Sequence, residues 1–470
     1  MVVIYTRFCS SNYRVNMELT IKDKVMKIQL SDHFSYGRLI RFTLPSIAMM
    51  IFTSIYGVVD GFFVSNYAGK EAFAAVNLVA PVLMVLATVG FMFGTGGTAI
   101  VAKTLGEGDK VKANRYFSLF VYFSLALGIV FSAIGIIFMR PIAIKLGAEG
   151  VIIDYCVTYG RIIALALPFF VLQLLFHSFF VAAEKPQIGL AVTVSSGVTN
   201  MILDAVLVIL LPQEYKLMGA AIATGMSQVV GGVIPLIYFA RKNSSILRLG
   251  KTKYNGRIIA RACVNGSSEF MSNVSMNIVA MLYNAQLLDY AGEDGVAAYG
   301  VMMYVSFIFA STFVGYSIGM APIVGYNYGA QNRKELKSVL RKTIILITCF
   351  GTFMLVSAQL LARPLSSLFV GYDKGLMELT EHGLRIFALS FIFMGFAIIG
   401  SGFFTALNDG LTSAVISFLR TLVFQIAAVI LLPLIWGIDG IWWSIVVAEL
   451  MAFVFTAVFL VAKRKRYGYF

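Results

Sequence analysis

The chain has 470 residues, of which 59% are apolar and only 13% charged, with a formal net charge of +14. So few charges could not cover the surface of soluble domains of this total size, so the composition excludes a soluble enzyme, a disulfide scaffold and a disordered chain, and leaves an integral membrane protein. The basic excess does not indicate nucleic acid. No folded basic domain exists to carry such binding, and Lys and Arg fall in short loops between apolar segments, where they orient a protein in a bilayer.

Residues 1–36 read as a polar cytoplasmic tail, with Lys22, Lys24 and Lys27 near its end. No cleavable signal peptide is evident there, and Met17 is an alternative start. Twelve apolar stretches follow, at 40–65, 76–102, 116–139, 162–183, 188–211, 217–240, 258–289, 296–328, 339–362, 384–407, 412–435 and 440–462. Each is near the ~20 residues that span a bilayer as a helix, which satisfies its own backbone hydrogen bonds in lipid. The expected fold is therefore all-α, with twelve transmembrane helices. With the N-terminus inside, 29 of the 37 Lys and Arg residues fall on the inner side and 8 on the outer. That places both termini in the cytoplasm of a multi-pass plasma-membrane protein, for which a monomer is expected.

The sequence repeats itself. Tyr67-Ala68-Gly69 returns as Tyr290-Ala291-Gly292, Gly96 as Gly319, Gly106 as Gly329, and Arg140-Pro141 as Arg363-Pro364, all offset by 223. Phe179-Phe180 returns as Phe403-Phe404 at 224, and Gly219 as Gly440 at 221. A nearly constant offset means duplication. Six spans separate the copies, so the halves share one orientation: a parallel 6+6 repeat, as known among secondary transporters with substrate sites between the halves. The organisation is then a first six-helix lobe (37–240), a basic cytoplasmic linker (241–257), a second lobe (258–462) and a short cytoplasmic tail (463–470).

Charges at membrane depth are costly unless paired or hydrated, and mark function. Asp60, Asp204 and Thr224 lie at similar depth in the outer half of spans one, five and six, and Asn200 shares a helix face with Asp204 at i,i+4. Two carboxylates, an amide and a hydroxyl make an oxygen site for Na⁺, or a pair of acids that holds H⁺. Offsets of 223 and 224 map Asp60 to Tyr283, Asp204 to Ala428 and Asn200 to Phe424, so coupling chemistry belongs to the first half alone. In the second half, Glu269 and Arg420 lie at similar depth and could pair; Glu449 occupies the repeat position of Gln228. These four are candidate substrate or gating residues. The four cysteines and three histidines show no metal, redox or cofactor spacing. Gly94-Thr95-Gly96-Gly97 lacks the strand and the GK[ST] of a phosphate loop and reads as close helix packing. No cofactor, ATPase motif or catalytic residue is expected, so the protein is read as no enzyme and its energy would come from an ion gradient.

Val59-Asp60-Gly61-Phe62-Phe63-Val64 through Ala75, the run Asn200-Met201-Ile202-Leu203-Asp204, and Gly219-Ala220-Ala221-Ile222-Ala223-Thr224, together with the 6+6 repeat, resemble the multidrug and toxic compound extrusion (MATE) family over roughly 36–462. The resemblance implies two six-helix lobes in a V and export of cationic or amphipathic drugs in exchange for H⁺ or Na⁺, with the coupling roles falling on Asp60, Asn200, Asp204 and Thr224. Some members carry an acid deep in the seventh span. Here Glu269 sits close to the start of that span, and Ser275, Met276 and Asn277 in its interior bring no acid, which favours the first-lobe site. The alternative reading is a flippase for lipid-linked oligosaccharide or peptidoglycan precursors, which would need a large basic cavity; only Arg161 and Arg420 lie within or near spans.

Overall fold

The computed structural model describes residues 28–470. Met17, Cys9 and the lysines at 22, 24 and 27 lie outside the described residues. Among those described, the chain is helical almost throughout. The first lobe comprises α1 (Tyr36–Ala68), α2 (Lys70–Gly106), α3 (Lys110–Lys145), α4 (Val151–Ala182), α5 (Pro186–Leu210) and α6 (Lys216–Ala240). A continuous helical stretch of 74 residues, Gly256–Gly329, opens the second lobe. At 1.5 Å per residue it would run about 111 Å, far beyond a ~30 Å hydrocarbon core. It is two spans, α7 (256–291) and α8 (293–329), broken at Gly292, whose φ of 62° and ψ of −152° only glycine adopts freely. The lobe continues with α9 (Arg333–Val370), α10 (Lys374–Ala406), α11 (Gly410–Trp436) and α12 (Ile438–Tyr467).

Each of the twelve predicted stretches falls on one helix, but the helices are longer. The third stretch, expected at 116–139, runs from 110 to 145, and α9 reaches 38 residues, about 57 Å. The extensions carry Lys110, Lys112, Arg333 and Lys334: polar turns continue the helix past the lipid, where hydropathy gives no signal. Side-chain caps fix several starts, with Asp109 accepting from Lys112 N–H and Asn332 from Glu335 N–H.

The helices alternate in direction, so the loops gather on two faces. The face carrying 107–109, 183–185, 241–255, 330–332 and 407–409 is the basic one. The lobes meet nearest this face, and glycines set the approach. A Cβ on Gly96 would lie 2.2 Å from the Ala262 carbonyl oxygen, and one on Gly266 would lie 1.9 Å from that of Met92. Thus α2 and α7 touch backbone to backbone, as small-residue seams allow. In the symmetry-related seam Gly319 of α8 packs against Thr43 of α1, and Ser54 of α1 meets Ser311 of α8 through their hydroxyls at 2.5 Å. The Gly94–Gly97 run therefore serves packing, as its sequence implies.

Cross-lobe ties reinforce this end. Asn408, in the α10–α11 loop, donates to the Ala99 carbonyl on α2 (3.1 Å) and accepts from Asn265 (2.9 Å). The segment before α1 is strapped to both lobes. Leu30 N–H donates to Glu184 (2.8 Å), Phe34 N–H donates to Glu335 (2.8 Å), and Leu30 and Phe34 are fully buried. Burial raises the Glu184 carboxyl above the usual carboxylate range, an effect that the Leu30 hydrogen bond partly offsets.

Candidate functional site

Asp60 of α1 lies two turns before its helix ends, beside α5 and α6. Its carboxylate accepts from Thr224 Oγ1 of α6 at 3.0 Å. Asp204 and Asn200 of α5 sit close enough to interact with it, and both are buried, with 0% and 1% of their surface exposed. Neither carboxylate oxygen of Asp204 and neither amide atom of Asn200 is satisfied by a hydrogen bond. Tyr56, one turn before Asp60, and Tyr159 of α4 close the site with rings near the acids. The four residues singled out from the sequence are thus brought together. Buried polar atoms are nearly always paired. Four unpaired atoms of Asp204 and Asn200 thus lie beside the Asp60 carboxylate.

The second lobe at the same repeat positions is closed chemically. Tyr283, which replaces Asp60, is 2% exposed; its hydroxyl meets Gln425 Oε1 at 2.8 Å and Ser444 Oγ at 2.7 Å. Its ring stacks on Tyr299 at 5.2 Å. Phe424 and Ala428, in place of Asn200 and Asp204, pack with Ala397, Ala448 and Ala452 in a small apolar cluster.

A cavity of about 310 Å³ opens inside the second lobe, between α7, α8, α10, α11 and α12, with Met50, Phe91 and Thr95 contributed by the first. Glu269, Arg420 and Glu449 all line it. Arg420 stands on a π-helical turn of α11, Leu419–Val423, a local widening that is frequent at functional positions. The pairing differs from the Glu269–Arg420 bridge that similar depth allowed. Arg420 Nε donates to both carboxylate oxygens of Glu449, at 3.0 and 2.9 Å, and Glu449 is 2% exposed. Helix rotation decides this, because Glu449 points straight at the π-turn. Glu269 faces the same charge without bridging it. The helix begins at Gly256, and Glu269, about 20 Å along it, reaches the cavity. Gln228 is set apart from these three: it is buried in the first lobe, with Oε1 unpaired, and does not line the cavity.

The methionine and aromatic content of the sequence suits binding of varied apolar molecules, but the sequence alone did not single out which of these residues line the cavity. Met50, Met276, Met303 and Met394 line its wall with Tyr283 and Phe307. Flexible thioethers and aromatic faces suit varied apolar shapes. Sequence reasoning also passed over a second group of buried polar side chains in the first lobe, Gln173, His177, Thr193 and Ser196, each at most 4% exposed. Regular i,i+4 spacing on α4 and i,i+3 spacing on α5 is the signal that could have found them.

The MatE family model matches residues 45–206 and, a second time, 269–431. The chain belongs to this family. The double match is the duplication itself, at the offset read from the sequence. Among curated MATE relatives, the chain is 26% identical over 427 residues to the multidrug export protein MepA of Staphylococcus haemolyticus (strain JCSC1435), covering 91% of this chain and 93% of that protein. It is 24% identical to MepA of Staphylococcus aureus (strain MRSA252), over 88% and 91% of the two chains. Among solved structures, an outward-facing multidrug resistance MATE transporter of the MOP superfamily superposes with a TM-score of 0.87 at 21% identity, over 94% of this chain and 99% of that one. A MOP superfamily transporter from Pyrococcus furiosus, described as having a binding pocket of reverse polarity, gives 0.85 at 20%, over 94% and 98%. These likenesses carry the twelve-helix, two-lobe fold.

Proposed function

We propose that this protein is a secondary active multidrug exporter that expels cationic or amphipathic compounds in exchange for a cation taken up at Asp60, Asn200, Asp204 and Thr224. The observation that carries the reading is the division of labour between the lobes. Two buried acids, Asp204 without any hydrogen bond and Asp60 bonded to Thr224, lie in one, at positions where the other has a saturated tyrosine and an apolar plug, while the methionine- and aromatic-lined cavity lies in that other lobe. With their side chains ionised, Glu269, Glu449 and Arg420 leave the cavity wall one negative charge, which favours a monocation and disfavours the pyrophosphate of a lipid-linked sugar.

The basic face is the cytoplasmic one by its charge, so the lobes meet on the cytoplasmic side and the cavity belongs to an outward-facing state. Alternating access requires the α2–α7 and α1–α8 seams to part. A cation arriving from outside neutralises Asp60 and Asp204, repacks α1 against α5 and α6, and lowers substrate affinity. Coupling needs only that cation and substrate prefer different states.

Ethidium efflux from proteoliposomes, with H⁺ and Na⁺ gradients imposed separately, tests the reading. Uphill export should follow one gradient and collapse without it; uphill export with both gradients absent would overturn it. In the same assay Glu269→Gln should weaken ethidium binding by roughly tenfold, since it removes a charge worth about 1–2 kcal/mol at a partly desolvated site, and should spare uncharged substrates. Equal losses for charged and uncharged compounds would show that Glu269 shapes the cavity only.

A further inference from the structure

Sixteen buried side-chain atoms among the described residues have no hydrogen-bond partner, and nine of them belong to seven side chains on α4, α5 and α6: Gln173, His177, Ser178, Asn200, Asp204, Gln228 and Tyr238. The other seven are scattered singly over seven residues. On α5, Thr193, Ser196, Asn200 and Asp204 follow one another at helical spacing, over about 16 Å of depth. Two rungs join them to α4: Gln173 Nε2 donates to Ser196 Oγ at 3.4 Å, and His177 Nε2 meets Thr193 Oγ1 at 3.3 Å. The column thus runs from the acids toward the basic face. Beyond its last rung, the first ionisable side chains along both helices are Glu184 and Lys185 in the α4–α5 loop.

Thr193 has one hydroxyl hydrogen and donates it to the Gly189 carbonyl at 3.0 Å. With the hydroxyl hydrogen assigned to that carbonyl, Thr193 accepts from His177, and this assignment places the ring proton on Nε2. His177 Nδ1 is then a buried lone pair with no partner. Phe91, which lines the cavity, packs edge-on against the imidazole, with ring centroids 6.2 Å apart. Among the described residues no charged side chain bears on it. The second lobe keeps the geometry without the base: Ser401 and Ser417, at the repeat positions of His177 and Thr193, share a hydrogen bond of 2.8 Å.

We propose that this column is a proton path from Asp60 and Asp204 to the cytoplasmic face, with His177 as its base. It rests on the reading of those acids as the coupling site, and it names the coupling ion as H⁺. A proton leaving the acids travels over water held by Asn200, Ser196 and Gln173 and is accepted at Nδ1. The Nε2 proton leaves past Thr193 toward the α4–α5 loop. The ring is left as the other tautomer and resets by turning over, with no net change in its charge.

Wild-type protein, His177→Gln, Thr193→Val and Asp204→Asn are compared in proteoliposomes containing a trapped pH dye, with ethidium as substrate. The expected result is that His177→Gln keeps the ethidium KM and loses turnover and proton movement together, on the order of tenfold or more. Glutamine can still donate to Thr193, so the loss isolates the base. Thr193→Val should lower turnover in the same way, and it alone decides the matter if His177→Gln fails to fold. Wild-type proton and ethidium rates in both variants, with Asp204→Asn inactive, overturn the path and leave the acid site standing. Retained coupling in Asp204→Asn overturns the acid site and the path with it. Export driven by Na⁺ with no proton movement also overturns the path.

Discussion

Asp204→Asn should abolish uphill ethidium export while leaving the protein folded. Asparagine has the shape of the acid in its neutral form, and the acid side chain makes no hydrogen bond that the substitution would break. The change in stability should stay within about 1 kcal/mol, as is usual where no packing or pairing is lost. What disappears is the difference between loaded and unloaded states, a coupling free energy of ~1–3 kcal/mol. The variant should behave as permanently loaded: it binds ethidium weakly and lets it run downhill, but cannot concentrate it. Gradient-driven efflux and thermal unfolding, measured on the same preparation, check both halves. Asp60→Asn should act in the same direction, and also turns the acceptor of the Thr224 hydrogen bond into an amide.

The largest stability effect is expected at the other lobe. Glu449→Gln leaves the Arg420 guanidinium in a mostly buried site, 16% exposed, without its counter-charge. Removing one partner of a buried ion pair costs about 3–5 kcal/mol, because the remaining charge stays desolvated. Thermal unfolding in detergent should fall sharply. The double variant Arg420→Met with Glu449→Leu should recover most of the loss, since apolar replacement of the whole pair removes the unpaired charge. Glu269 offers a partial escape: in the single variant Arg420 can swing toward it. A second substitution, Glu269→Gln, should therefore deepen the loss. A single variant as stable as wild type would mean that the pair stays hydrated and adds little.

Much of this was legible in the sequence, for physical reasons that differ by feature. Twelve spans and their pairing across a 223-residue offset can be read because lipid imposes length and hydropathy on every helix. Asp60 and Asp204 stand out because a carboxylate within an apolar run needs a reason. Helix ends were not legible: α9 continues through Arg333 and Lys334 into water, where the helix depends on the Asn332 cap and not on lipid. Nor was the choice of Arg420 for Glu449 over Glu269. Depth can be counted along a sequence, but the rotation of α7 and α12 about their axes is set by packing. The Gln173–Ser196 and His177–Thr193 rungs were hidden for another reason. Neutral polar residues are cheap enough in membrane helices that one alone carries little signal, and their meaning lies in the match between two helices.

The central claim is that ion and substrate occupy different lobes and oppose each other. Equilibrium ethidium binding to the purified protein across pH, at fixed ionic strength with and without Na⁺, tests this most directly, using wild type, Asp204→Asn and Glu269→Gln. Wild type should bind ethidium less tightly as acidification loads the site. Asp204→Asn should bind at the weak limit at every pH, and Glu269→Gln should bind weakly yet keep the pH dependence. A pH dependence that survives in Asp204→Asn and vanishes in Glu269→Gln would place the coupling in the cavity itself and contradict the account.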